Sequence, residues 1–177
     1  MMKAMVKAVK TEFESGPFKL VTEQVTLENG VDTAIHVLRH PGAAAIVPFL
    51  DKKTVVMIHQ YRHALGKTIW EIPAGTLDSA KESPLECARR ELLEETGYKA
   101  EKFEKLGTIT PSPGYSDEQI HIFMATKLTP GKQNLDRDEV LRVHRLGFDR
   151  VLSMASTGEI TDSKTMAALF LASRRLA

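Results

Sequence analysis

The chain has 177 residues, 42% of them apolar and 27% charged, with a net charge of +1 and a single cysteine. That is enough chain for one domain with a real core. The balanced charge gives no overall field to recruit nucleic acid or a membrane, and the lone thiol, Cys87, excludes an internal disulfide and fits a reducing, cytoplasmic setting.

The opening run, MMKAMVKAVKTEF, has spaced lysines and no long apolar stretch, so it reads as neither a signal peptide nor a membrane span. Residues 18–27 alternate loosely and read as a strand. Glu28-Asn29-Gly30 is a turn, and residues 31–38 return as the second strand. A lone hairpin is marginal in water. This one needs a sheet, a helix or a second subunit to cover it, so residues 1–40 read as a hairpin and dimerisation segment ahead of a domain over 41–177. A homodimer that shares or exchanges the hairpin is expected. Arg39-His40-Pro41-Gly42-Ala43 breaks the chain. Residues 43–50 form a buried strand, Asp51-Lys52-Lys53 a turn, and residues 54–61 another strand ending in Gln60-Tyr61-Arg62-His63. Arg62 directly follows apolar residues, where a solubilising arginine and a phosphate-binding one look alike. Residues 68–72 are again a strand. Trp70 in it is a core or interface anchor, with stacking on a base as the sharper alternative. Glu71, between Trp70 and Ile72, belongs on the polar side of that strand.

Residues 83–97 are a helix. Ser83 caps it, Pro84 suits its first position, Glu86 completes a Ser-x-x-Glu capping box, and Gly97 is a left-handed stop. Leu85, Ala88 and Leu92 make an apolar stripe, and Glu91, Glu94 and Glu95 are expected on the opposite side. Like charges at helical spacing cost about 0.2–0.5 kcal/mol per pair even when exposed. Arg89 and Arg90 precede Glu91 and nothing basic follows it. A solvated acidic face is the plain explanation. A bound cation is the other, and oxygen-only ligands suit Mg²⁺ or Mn²⁺ rather than zinc. Cys87, mid-helix and without an activating pattern, is a small filler.

With the strand before it, the segment reads EIPAG-x6-E-x7-RELLEETGY. It resembles the Nudix box, the loop–helix–loop motif of Nudix hydrolases, through Gly75, Glu82, Arg90, Glu91, Leu92, Glu94, Glu95, Gly97 and Tyr98. The spacer of residues 76–81 is one residue longer than in the common box. The extra residue falls before the helix cap, where an insertion leaves the register of the carboxylates untouched. The segments HPGA and QYR, and the loop SPGYSDE at residues 112–118, resemble the ADP-ribose pyrophosphatase branch of that family.

The resemblance implies an α/β/α sandwich with a mixed sheet, preceded by the antiparallel hairpin. It implies Mg²⁺ or Mn²⁺ held by Glu91, Glu94, Glu95 and the main-chain carbonyl of Ala74. Arg90 would pair with Glu82 and brace the loop behind those ligands. Arg62, Glu71 and Gly114 would face the substrate. The acidic loop TPGKQNLDRDE would close over the pyrophosphate and supply a general base. Alignment on the strand that follows, residues 140–146, puts that role on Glu139 with Asp138 as runner-up; a box glutamate such as Glu94 is the other choice. The implied reaction is hydrolysis of a nucleoside diphosphate sugar, ADP-ribose first, to a nucleoside monophosphate and a sugar phosphate. Relatives often clamp the base with an arginine or aromatic in the hairpin. This chain has Ala34, Ile35 and His36 there, so GDP-mannose, ADP-glucose and a broad specificity stay open, as does a non-catalytic nucleotide-binding module. His36, His40 and His63 have no metal-ligand spacing. Beyond the box, residues 103–110 and 119–127 are strands and residues 148–157 a short helix. Asp162 caps a final helix, residues 163–176, with Met166, Ala167, Leu169 and Phe170 expected against the sheet and no chemistry assigned.

Overall fold

The computed structural model describes residues 4–79, 81–137 and 139–176, so Asp138 lies outside it. The N-terminal hairpin is present and larger than expected. Strands β1 (Met5–Ser15), β2 (Phe18–Thr26) and β3 (Asp32–Arg39) form an antiparallel sheet in the order β1-β2-β3. β1 was not assigned a strand from the sequence, because its alternation is broken. Register shifts between Val6 and Ala8 and between Thr11 and Phe13 throw successive apolar residues onto changing faces. The β2–β3 turn has Gly30 at φ +81°, with the Gly30 amide donating to Leu27 O at 2.9 Å, a three-residue loop.

The rest of the chain is layered on β4 (Ala43–Pro48), a strand buried along its whole length. It pairs antiparallel with β7 (Ala74–Thr76) and parallel with β9 (Ile120–Pro130), and β9 pairs antiparallel with β8 (Tyr98–Ile109). This makes one mixed sheet, β7-β4-β9-β8. An antiparallel sheet, β10-β5-β6, lies beside it, built from β5 (Thr54–Arg62), β6 (Lys67–Glu71) and β10 (Leu141–Gly147). Because side chains alternate along β4, Ala44 and Ile46 pack with Cys87, Ala88 and Leu92 of helix α1 (Pro84–Thr96). Ala43, Ala45 and Val47 face the other way, onto Val151 and Met154 of α2 (Phe148–Ser156) and Ala168, Leu169 and Ala172 of α3 (Ser163–Leu176). The expected sandwich is therefore formed, with α1 on one side and α2 and α3 on the other. No helix among the described residues is long and apolar enough to cross a membrane.

Two expected helix faces are rotated. In α1 the inner stripe is Cys87, Ala88 and Leu92, and Leu85 is 37% exposed. Glu91 and Glu95 are buried on that same inner side rather than opposite it. In α3 the inward residues are Thr165, Ala168, Leu169 and Ala172, while Met166 and Phe170 are exposed. The caps are as read: Ser83 Oγ accepts the Glu86 amide at 3.2 Å, and Glu86 Oε2 accepts the Ser83 amide at 2.9 Å. Asp162 Oδ2 likewise accepts the Thr165 amide at the head of α3.

Candidate active site

A cavity of about 600 Å³ opens between α1, β5, the head of α3 and the loops after β8 and β9. Its acidic wall is α1. Glu91, Glu94 and Glu95 all line it, and their placement follows from how the segment before the helix folds. Pro73 O accepts the Ile46 amide at 2.9 Å, so the chain leaving β6 is sewn to β4. The next amide, Ala74 N, donates to Glu95 Oε2 at 2.8 Å. A Cβ at Gly75 would lie 1.9 Å from Glu91 Oε1, so any larger residue there would displace the Glu91 carboxylate. The helix thus lays two of its carboxylates against a bare stretch of backbone.

Burial makes those carboxylates hard to ionise. It pushes Glu91 up to about 7, helped by the negative charges of Glu94 and Glu139 and opposed by Arg90. It pushes Glu95 well above the carboxylate range, with Glu91 and Glu139 adding repulsion and the Ala74 amide opposing. Arg90 is hydrogen-bonded to Glu91 and Glu94, and the charge of Arg62 opposes the rise at Glu95. Arg90 donates to Glu82 Oε1 at 3.0 Å, Glu91 Oε1 at 2.6 Å, Glu94 Oε2 at 3.2 Å and Thr76 O at 3.1 Å. Glu82 stands outside the cavity wall, and Arg90 holds its proton affinity down. Cys87 is buried, with its thiol pushed up to about 12 by burial, as a filler should be.

Among the described residues no three acidic, histidine or cysteine side chains converge as a finished metal cage. The Arg90 guanidinium sits between Glu91 and Glu94 instead. The donor set nevertheless fits a hard divalent cation. It is all oxygen, it lines an open cavity, and its two buried carboxylates are costly to ionise until positive charge arrives.

Glu139 lines the same cavity and is close enough to raise the proton affinity of both Glu91 and Glu95. Its Oε2 accepts the Asp136 amide at 3.0 Å. The loop that carries it is anchored on α1: Asn134 N donates to Glu94 O at 3.0 Å, and Gln133 Nε2 donates to Glu95 O at 2.6 Å. These bonds satisfy carbonyls that the end of a helix leaves open.

Another part of the wall carries Arg62 and Lys164. Arg62 lines the cavity and grips Glu71 with two bonds, Nε to Oε1 at 2.6 Å and Nη2 to Oε2 at 2.7 Å. Glu71 itself is 1% exposed and sits behind Arg62, away from the cavity wall where it was expected. Lys164 donates to the same carboxylate. Burial alone would raise Glu71, but Arg62 and Lys164 outweigh it and hold the group below the usual range.

Gly114 also lies off the wall, which is formed from that loop by Pro111, Ser116 and Glu118. Much of the SPGYSDE loop is occupied in docking the N-terminal sheet. Leu38 N donates to Tyr115 O at 2.7 Å, His40 N donates to Asp117 Oδ1 at 2.9 Å, and Arg39 bridges Asp117 and Glu23. Trp70 stays away from the cavity wall and stacks on His59 at 4.4 Å, a packing role. His36, His40 and His63 are not brought together as a ligand set.

Sequence reasoning missed Gln60, Asp78, Asn134, Asp136, Asp162, Ser163 and Lys164, all of which line the cavity. Asp162-Ser163-Lys164-Thr165 reads from sequence as an ordinary helix cap. The available signal was a lysine in the first turn of a helix, where the dipole disfavours a cation.

The model of the NUDIX domain matches residues 39–169. A methanol dehydrogenase activator of Bacillus methanolicus is 41% identical over 168 residues, covering 92% of this chain and 90% of that protein. An ADP-ribose pyrophosphatase of Bacillus subtilis (strain 168) is 38% identical over 159 residues, covering 89% of this chain and 85% of that one. The solved structure of an ADP compounds hydrolase superposes with a TM-score of 0.85 at 24% identity, over 98% of this chain and 94% of that chain, and so shares the fold.

Proposed function

The chain belongs to the NUDIX family, and on that premise we propose that it hydrolyses the pyrophosphate bond of nucleoside diphosphate sugars, ADP-ribose first among them, with Mg²⁺ or Mn²⁺. The products are a nucleoside monophosphate and a sugar phosphate. One observation carries the reading: a single cavity joins buried carboxylates that lack a full complement of positive charge to a wall bearing Arg62 and Lys164. Such a polar, two-signed cleft suits a pyrophosphate accompanied by divalent cations.

Glu91, Glu94, Glu95 and the Ala74 carbonyl would hold the cations, which when bound would neutralise phosphate charge and make a bound water acidic. Glu139 accepts the proton of the attacking water; Glu94, the least buried of the three helix carboxylates, is the alternative base. Arg62 takes a phosphate oxygen while Glu71 keeps its fork oriented. Arg90 and Glu82 hold the loop that presents Ala74. The N-terminal sheet presents exposed Met5, Val9 and Phe13, which fits burial against a second copy in a cytoplasmic homodimer.

The test is hydrolysis of ADP-ribose, ADP-glucose and GDP-mannose with Mg²⁺, scored by phosphate released after phosphatase treatment. A clear preference for ADP-ribose is expected. Comparable rates on all of them would replace it with a broad sugar-nucleotide hydrolase, and binding without turnover would leave a nucleotide-binding module.

A further inference from the structure

Gln60 is a buried polar side chain that its own strand does not explain. It lies on β5, is 6% exposed and lines the cavity. Its Oε1 is buried and has no hydrogen-bond partner among the described residues. The neighbours on its face of the sheet are apolar: Ile58 precedes it on β5, fully buried, and Leu141 stands directly opposite on β10. An unpaired buried amide weakens a fold, where an apolar side chain of similar size would not. Gln60 is therefore better matched to something inside the cavity than to the protein around it.

The same ladder identifies its nearest chemical neighbour. Tyr61 N donates to Val140 O at 3.0 Å, so the pairing of β5 with β10 continues one residue beyond Leu141. One step farther, position 139 falls opposite Arg62 and diagonal to Gln60, on the same face. Diagonal neighbours in an antiparallel pair are about 7–8 Å apart at the backbone, within reach of long side chains. That spacing leaves room for one water between a glutamine amide and a glutamate carboxylate. Glu139 lines the cavity beside Gln60, and the Asp136 amide takes only its Oε2, at 3.0 Å.

We propose that Gln60 is a catalytic residue that, with Glu139, holds the attacking water: Gln60 Oε1 accepts one hydrogen of that water and Glu139 Oε1 accepts the other. This rests on the reading of the cavity as a nucleoside diphosphate sugar site with Glu139 as its base. The terminal amide torsion is soft, so rotation of the amide plane brings Oε1 to the cavity. A water that donates both hydrogens to fixed acceptors keeps a lone pair free for phosphorus. In the step itself the water oxygen bonds to phosphorus as the bond from phosphorus to the bridging oxygen breaks. The proton facing Glu139 passes to that carboxylate. The hydrogen held by Gln60 stays on the new phosphate oxygen, and the bridging oxygen leaves with the electron pair of the broken bond. A neutral amide suits this place, because it accepts a hydrogen bond without adding charge near Glu91, Glu95 and Glu139, which already repel one another.

The test is steady-state kinetics on the best sugar nucleotide, together with thermal melting, for the wild type, Gln60→Leu, Gln60→Met, Glu139→Gln and Gln60→Leu combined with Glu139→Gln. Gln60→Leu is expected to lower kcat about 10- to 100-fold, the scale for a misplaced reactant. KM should stay within about twofold, and the melting temperature should equal or exceed that of wild type, since the unpaired amide is gone. Both residues act on one water, so Gln60→Leu should cost less than about threefold once Glu139→Gln is in place. Gln60→Met, which keeps the length and loses the amide, should match Gln60→Leu and replaces it if the branched side chain does not fold. Unchanged kcat in both variants overturns the proposal. So does a raised KM with kcat kept, which would make Gln60 a binding contact, and so does the full loss repeated in the Glu139→Gln background. A wild type that turns over no sugar nucleotide overturns the functional reading and the water site together, whereas an active wild type with a silent Gln60→Leu overturns the water site alone.

Discussion

One buried carboxylate site lines the cavity and another lies behind its wall, and the two are built on opposite rules. Glu71 is closed: two cations reach it, and its proton affinity falls despite burial. Glu91 and Glu95 are open: they are buried among further negative charge, Arg90 is the cation that reaches Glu91, and the proton affinity of both rises. Burial is nearly the same in the two places, so the sign of the shift is set by the partners supplied. A closed site holds the fold together. An open one is completed from outside.

The comparison is broken most sharply by removing a ligand from the open side. Glu94→Gln, measured in steady-state kinetics with saturating Mg²⁺, should lose about 10²- to 10⁴-fold in kcat, the range for loss of an acid–base group, while nucleotide binding survives. Unchanged turnover would remove the metal assignment altogether. On the closed side, Glu71→Leu strands Arg62 and Lys164 beside an apolar group. Breaking a buried pair costs about 3–5 kcal/mol, to be discounted because Arg62 is partly exposed, so about 2–3 kcal/mol should appear in denaturant unfolding. Glu95→Gln should do the reverse in metal-free protein. It removes a charge that burial penalises while keeping an oxygen for the Ala74 amide, so stability should hold or rise by about 1 kcal/mol, and the gain in melting temperature from Mg²⁺ should shrink.

A further effect is in pH. Glu91 has a folded value of about 7, above its ordinary 4.5. The folded protein therefore binds the extra proton, and the stability this gives is complete below about 4.5 and lost as pH rises through 7. Glu71 has the opposite sign: its contribution is complete above 4.5 and lost as pH falls through its lowered value. Without metal, melting temperature should decline between pH 5 and 8, and saturating Mg²⁺ should flatten that decline. A metal-free profile that is flat over this range would mean that Glu91 and Glu95 are solvated after all.

Local chemistry was legible in the sequence; the partners of each side chain were less so. The cap of α1, its glycine stop and the strands around it follow from residue types at fixed offsets, and the structure has them. The face of α1 was misjudged because charge was taken to mean exposure. Glu95 turns inward to meet the Ala74 amide, a partner outside its own helix. α3 was rotated for a related reason: Thr165 is buried by its bonds to Ile72 and Asp162, while the larger Met166 and Phe170 stay outside. Strand β1 was hidden by its own register shifts. Lys164 lines the cavity and bonds Glu71, a contact spanning 93 positions that no local pattern encodes.

The loop that carries Glu139 does not hang free over the cavity. Asn134 and Gln133 are fastened to carbonyls of Glu94 and Glu95, the same residues whose side chains line the cavity. Lifting that loop as a unit would unravel the last turn of α1 and scatter the acidic wall. Loop and helix end are therefore fastened together as one unit. Hydrogen exchange should show the Asn134 amide as well protected as the helix end it caps, with exchange quickening only farther along the loop.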